Sequence, residues 1–472
     1  MQAISLFFKK YSGEYRALLR LGAPVLLTQV GVICVSFADT MMVGLYGVNE
    51  LAAAAFVNSV FLIPLVMLMG LAAGLTPLVG ALFGRGSLAE AGRIARGGLQ
   101  INLMAGALFT MVMGAIYFFL DCFNQPEEIM PLIRRYYLIL MFTLVPMSLF
   151  NALQQWANGV TDTASPMWMI LLSVGVNILL NWLLIYGKFG MPEMGLAGAG
   201  LATVIARVTG LLGMALIVFC TRRYHPFRAG FSNPGRLGAV RRKVWRTSYP
   251  VMIQSGVECS LWTFGAVVCG WYGAVQLASY QVTNTIGQLG FMIYQSFGVA
   301  VSVRVANYAG VLDEAGAGRC ARAGVHINLV LATLASLVFL VGGKHLLSLF
   351  SESPDVISGA ALLLWPLVLY QYLDALQLTL CNAIRGTSKV RPLLWISVVS
   401  YIIVGVPVLL LFADTFGWHN LGVYYSFDIA LLTAAVMAWI VFRRTKIEGA
   451  TDDIAESMKK IANFAVVKKN VL

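Results

Sequence analysis

Asp39, Glu258 and Asp374 each interrupt a long apolar run that is otherwise nearly free of charge. A charged side chain at mid-bilayer costs about 3 kcal/mol on insertion scales, so three cost roughly 9 kcal/mol together. Ionisable residues in such places are functional candidates by default, first of all for moving an ion or a proton. Asp39 follows Pro24 in a run that also holds Thr28, Gln29 and Ser36. Asn177 and Asn181 are four apart and share one helix face, and Thr203 follows the flexible stretch 195–200. One carboxylate with amide and hydroxyl oxygens makes a hard-cation or proton site. The plainer alternatives are a capped or paired Asp39 near the outer end of its helix and an Asn pair that bonds two helices. Glu258 lies eight residues after Pro250, and Asp374 lies four after Tyr370, one helical turn away. Two carboxylates brought close repel each other and invite a proton or a cation between them, to which Tyr370 can add an oxygen or its ring face. The competing reading pairs either acid with Arg304, which like Arg207 falls inside an apolar run. Asp428 starts the last run close to the outer interface and reads as a bland residue.

The elements that must hold these residues follow from composition. Hydrophobic residues make up 59% of the 472 and charged residues only 11%, with a mean hydropathy of +0.79. A soluble domain carries roughly 25% charged residues, so lipid must be the solvent for most of this surface. A span needs about 20 apolar residues. Runs of that size fall at about 20–45, 55–83, 99–120, 132–158, 166–187, 197–220, 248–270, 278–309, 325–347, 361–385, 392–413 and 421–442. They are continuous and lack β-barrel alternation, which predicts an all-α membrane protein of twelve transmembrane helices.

The net charge of +12 comes from topology. With the N-terminus inside, the inner segments hold 27 Lys and Arg and the outer segments hold four: Arg134, Arg135, Lys188 and Lys344. That bias places both termini in the cytoplasm of a multi-pass plasma (inner) membrane protein, and it argues against a nucleic-acid partner. Seven cysteines, mostly in or beside apolar runs, read as packing residues without a disulfide or metal pattern. The apolar stretch 4–8 is too short for a signal-peptide core, so the first helix is expected to be retained. No Gly-x-x-x-x-Gly-Lys loop, His-Glu-x-x-His motif or sizeable soluble domain occurs. Energy for transport would then come from an ion gradient. One charge crossing 100 mV releases about 2.3 kcal/mol, enough for a roughly 50-fold solute gradient.

Displacing the chain by 226 residues lays Pro24 on Pro250, Gly44 on Gly270, Gly47 on Gly273 and Gly84 on Gly310. Gly92-Arg93 and Ala95-Arg96 then meet Gly318-Arg319 and Ala321-Arg322, which read as the same loop of both halves, and Pro166 meets Pro392. Prolines and glycines fix kinks and close helix contacts, so the two halves share backbone geometry. Six helices per unit is an even number. The copies are therefore parallel repeats, two six-helix lobes about a pseudo-twofold axis along the membrane normal. The division expected is 1–221 for the N-lobe, 222–247 for a basic cytoplasmic linker, 248–445 for the C-lobe and 446–472 for a cytoplasmic tail. His225-Pro226 and Asn233-Pro234-Gly235 serve as breakers in the linker. By this register Val32 and Ser148 are the repeat partners of Glu258 and Asp374, so the C-lobe acids are not copies of Asp39.

Several segments in order carry a family resemblance: FADTMMVG (37–44), GVTDTASP (159–166), NILLNWLLIYG (177–187), MPEMGLAGAGLAT (191–203), VSVRVANYAG (301–310) and YQYLDALQLTLCNAIRGTSKVRP (370–392). From about residue 15 to 445 the chain resembles the multidrug and toxic compound extrusion (MATE) transporters, in their NorM-like branch. The resemblance implies an antiporter that exports cationic, amphiphilic compounds against entering Na⁺ or H⁺, with no cofactor beyond that coupling ion. It implies that Asp39 acts with Asn177, Asn181 and Thr203 in the N-lobe, and Glu258 with Asp374 and Tyr370 in the C-lobe. Two departures stand out. The segment 386–392 is one residue shorter than 159–166 and lacks its Asp-Thr, and Asn181 is an acid in some relatives. Small cationic or amphiphilic substrates and membrane lipids are the expected partners of a monomer. A lipid-linked precursor flippase of related helix plan would call for cationic residues along the cavity, whereas the mid-helix charges here are mainly acidic. An integral membrane enzyme would call for His/Asp clusters on surface loops, and none is found.

Overall fold

Apolar runs of this length satisfy their backbone groups in lipid only as helices, and the computed structural model is all-helical. It describes residues 2–123, 125–232, 237–351 and 353–445. Among these, eleven helices are long and apolar enough to span a membrane, and one bent pair makes the twelfth span. The N-lobe holds α1 (Lys10–Tyr46), α2 (Val48–Gly84), α3 (Leu88–Tyr117), α4 (Met130–Gly159), α5 (Ala164–Ile185) and α6 (Leu196–Cys220). The C-lobe holds α7 (Leu237–Trp271), α8 (Ala274–Gly310), α9 (Glu314–Gly343), α10 (Pro354–Leu362 and Leu364–Gly386, bent by 47°), α11 (Arg391–Thr415) and α12 (His419–Arg444).

The internal repeat is visible in how the lobes touch. α1 packs on α8 and α7 packs on α2, two contacts that a twofold exchange of the halves interconverts. At the end that carries the linker, a Cβ on Gly84 would lie 3.0 Å from the Asn307 Cα, and one on Gly310 would lie 3.1 Å from the Ala81 Cα. These are the same contact seen from each side, since 226 residues separate Gly84 from Gly310 and Ala81 from Asn307. Neighbouring loops repeat their backbone too: Gly86 (φ 77°) is answered by Leu312 (φ 61°), and Thr161 (φ 62°) by Ser388 (φ 62°). A Cβ on Gly159 would lie 2.8 Å from the Val79 Cβ, as one on Gly386 would lie 2.8 Å from the Val305 Cβ. That match sets the displacement on α10 at 227, one more than the sequence suggests. The repeat partner of Asp374 is therefore Met147 rather than Ser148. Neither is acidic.

Several helices run longer than their apolar cores, because polar turns cost little at the membrane edge. Gly92–Gly98 and Gly318–Gly324 lie in the first turns of α3 and α9, not in loops. The predicted breaker His225-Pro226 instead opens a short helix, His225–Ser232, and α7 already starts at Leu237. Pro226 fits there because the first helical turn has no use for its missing N–H. Asn233-Pro234-Gly235 and the tail 446–472 lie outside the described residues. Of the cysteines read as packing residues, Cys269 and Cys381 are buried, whereas Cys34 and Cys220 are exposed.

The extra length of α1 carries a feature that the sequence reading passed over. Glu14, only 8% exposed, accepts a hydrogen bond from the Tyr308 hydroxyl and an ion pair from Arg304 at 3.2 Å. The next residue, Tyr15, is hydrogen-bonded to His326 at 2.9 Å. Arg304 thus belongs to a bond between the lobes at the linker end, not to Glu258 or Asp374. Breaking such a buried pair from one side leaves an uncompensated charge.

Candidate functional site

In the N-lobe the four predicted residues form one chain of hydrogen bonds. The 3.6-residue period puts Asn177 and Asn181 on one face of α5, against α1 on one side and α6 on the other. The Asn181 Nδ2 donates to Asp39 Oδ1 and to Asn177 Oδ1 (3.2 Å); Asn177 Nδ2 donates to Thr203 Oγ1 (3.4 Å). Asn181 is fully buried, and its own carbonyl oxygen has no hydrogen-bond partner. Arg207 lies one turn beyond Thr203 on α6 and faces the same group. Its Nη1 donates to Thr143 Oγ1 at 2.9 Å and touches Met147 Sδ at 3.2 Å, and its charge is within electrostatic range of Asp39. The N-lobe carboxylate therefore has a built-in cation beside it.

The C-lobe arrangement is different. Asp374 is 1% exposed and one of its carboxylate oxygens has no hydrogen-bond partner. Glu258, on α7, lies within electrostatic range of it. The Tyr401 hydroxyl donates to Glu258 Oε1 at 3.3 Å. Tyr401 sits on α11 inside a π-helical stretch, Val398–Gly405, a winding that recurs at functional sites because it re-aims a side chain. The Tyr370 phenol is within range of both acids, and its ring meets Trp262 edge-on at 5.6 Å. Trp262 in turn meets Phe427 at 4.2 Å, so aromatic rings wall the acid pair. Arg385, the last residue of the run 361–385, is buried in the last turn of α10, bonded to Asn382 (3.1 Å) and within range of Glu258.

The corrected register makes the two lobes comparable. The side chains that Arg207 touches, Thr143 and Met147, are the repeat partners of Tyr370 and Asp374. Where the N-lobe lodges a guanidinium, the C-lobe offers a phenol and a carboxylate. Oxygen ligands alone suit a hard cation or a proton. Among the described residues, no group of three or more His, Cys, Asp and Glu gathers in the manner of a metal centre.

Sequence reasoning missed Tyr401, because a π turn leaves no readable period, and it passed over Asp428. That residue is 3% exposed with both carboxylate oxygens unpartnered, so it is not a bland interfacial acid. The Asp-Thr that 386–392 lacks also finds a structural reason. Asp162, 1% exposed, accepts from the Tyr224 hydroxyl at 2.5 Å and from Ser165 Oγ at 2.6 Å, and pairs with Arg223 at 3.2 Å. It ties the α4–α5 loop to the segment after α6. Burial, and then the Asp162 carboxylate, push the Tyr224 phenol above its ordinary range.

A sequence model described as MatE matches residues 24–183 and 250–411, two stretches that begin 226 residues apart. Among curated proteins, the multidrug resistance protein NorM of Photobacterium profundum is 27% identical over 459 residues, covering 95% of this chain and 99% of that protein. The NorM of Aliivibrio fischeri is 27% identical over 458 residues, 94% of this chain and 99% of its own. Among solved structures, the eukaryotic MATE transporter AtDTX14 superposes with a TM-score of 0.86 at 18% identity, over 95% of this chain and 99% of that one. An outward-facing multidrug resistance MATE family transporter of the MOP superfamily gives 0.81 at 19% identity, over 91% and 95%.

Proposed function

The chain belongs to the MatE family, and from that premise we propose that it is a secondary antiporter of the plasma (inner) membrane, expelling cationic, amphiphilic compounds in exchange for entering Na⁺ or H⁺. One observation carries the reading: the C-lobe presents Tyr370 and Asp374, with Glu258 in range, where the N-lobe fixes a guanidinium of its own. A place that holds a permanent cation in one half becomes a place for an exchangeable one in the other. Asp39, with Asn177, Asn181 and Thr203, is the second such place, held beside Arg207.

The mechanism is competition. A cation or proton on Glu258, Asp374 or Asp39 removes the charge that holds a cationic substrate, so ion entry and substrate release become one event. In this reading the linker end faces the cytoplasm with both termini. The lobes meet there through Glu14, Arg304, Gly84 and Gly310.

Two results test this. Produced in a bacterial strain stripped of its own efflux pumps, the protein should lower steady-state ethidium accumulation several-fold, and an ionophore that collapses the ion gradients should restore it. Unchanged accumulation contradicts the assignment. For orientation, single cysteines in a Cys-free background are labelled from outside with an impermeant maleimide. Positions 235 and 448 should stay unlabelled in intact cells while position 188 reacts; strong labelling at 235 or 448 reverses the topology.

A further inference from the structure

We propose that the C-lobe carries a second binding site, on its flank between α10, α11 and α12, which takes a monovalent organic cation with an apolar body against Asp428. A cavity of about 560 Å³ lies there, within the usual range for drug-sized ligands. Leu369 and Leu373 line it from α10, Phe412 from α11, and Trp418, Tyr425 and Asp428 from α12. The site stands apart from the acid pair. Leu369 and Leu373 each precede a residue of that pair's face, Tyr370 and Asp374, so they point about 100° away around the same helix. The lobes join through α1, α2 and α3 on one side and chiefly α7, α8 and α9 on the other, whereas α11 and α12 pack within the C-lobe. The cavity is therefore off the interface between lobes.

Charge and surface chemistry name the occupant. Asp428 is only 3% exposed, and neither carboxylate oxygen has a hydrogen-bond partner. A buried carboxylate without a partner is costly, and a positively charged ligand is what relieves it. No Lys or Arg lines the cavity, so an anion has nothing to hold it. A small hard cation such as Na⁺ needs several oxygens, and the walls offer the carboxylate and one phenol. Aromatic rings supply the rest: Trp418 lies 5.2 Å from Phe412 and 6.2 Å from Tyr425, ring faces that attract a weakly hydrated cation. Leucine and isoleucine take its apolar body. The site does not depend on the coupling residues proposed above, and its test is built to fail separately from them.

The test uses full-length protein in phosphatidylglycerol nanodiscs, titrated with rhodamine 6G by fluorescence polarisation. In an Asp39→Asn, Glu258→Gln, Asp374→Asn background, saturable binding should remain. Adding Asp428→Asn should weaken it at least tenfold, and so should Leu432→Trp, which fills the cavity but keeps the carboxylate. An uncharged dye of similar size should not respond to Asp428→Asn. Should the triple background fail to fold, calorimetry on otherwise native protein decides: the rhodamine stoichiometry should fall by one equivalent in either flank variant. Binding unchanged by both flank variants overturns the proposal. So does a phosphatidylethanolamine that stays bound in native mass spectra of wild-type protein, is lost in Asp428→Asn, and is not displaced by rhodamine.

Discussion

Glu258→Gln, Asp374→Asn and the two together are expected to abolish ion-coupled efflux to a similar extent. Each change keeps side-chain size and hydrogen bonding but removes one of two charges that lie within range of each other. A hydrogen bond or contact to a charged group is worth about 2–3 kcal/mol, which is roughly 30- to 160-fold in apparent ion affinity. Losing either acid already disables a shared site, so the double change should add little. The geometry sharpens the expectation: one oxygen of Asp374 is free of protein partners, and Tyr401 holds one oxygen of Glu258 in place. Tyr401→Phe should then lower coupling by less than either acid variant, since it leaves both charges. Singles that each keep half the coupling, with a double that multiplies the losses, would make the acids independent. Efflux from cells with matched membrane levels of each variant supplies the numbers.

Asp39→Asn is expected to reduce transport at least tenfold while leaving the protein in the membrane. An asparagine can still accept from Asn181 Nδ2, so the Asp39–Asn181–Asn177–Thr203 chain survives in form. What it loses is the charge that Arg207 senses and that an entering ion would neutralise. Full efflux by Asp39→Asn at wild-type membrane level would make Asp39 a structural residue. A protein missing from the membrane would instead point to folding, and the thermal stability of the purified variant separates the two.

Much of the fold was legible because lipid leaves the backbone few options. Twelve apolar runs, the charge bias and repeated Pro and Gly positions translate directly into spans and symmetry. The N-lobe constellation was legible for a similar reason: Asn177 and Asn181 sit at a helical period, and only one acid interrupts the first run. Glu14 was not, because hydropathy draws the first span from about residue 20, and the helix runs on past the lipid edge to reach the C-lobe. Tyr401 depends on a π winding, and Asp428 on what three helices leave empty between them. Neither has a local sequence signature. The one-residue slip on α10 shows the same limit: only packing of Gly386 on Val305 fixes which residue replaces Met147.

The central claim is exchange, and it is tested most directly with purified protein in proteoliposomes, where a fluorescent organic cation is followed under Na⁺ and pH gradients imposed separately. At least one gradient should drive accumulation of the cation well above equilibration, and an opposing cation gradient should drive that same ion the other way. The Glu258→Gln, Asp374→Asn protein should do neither. Cation uptake that ignores both gradients, or that the double variant performs as well as wild type, would contradict the account.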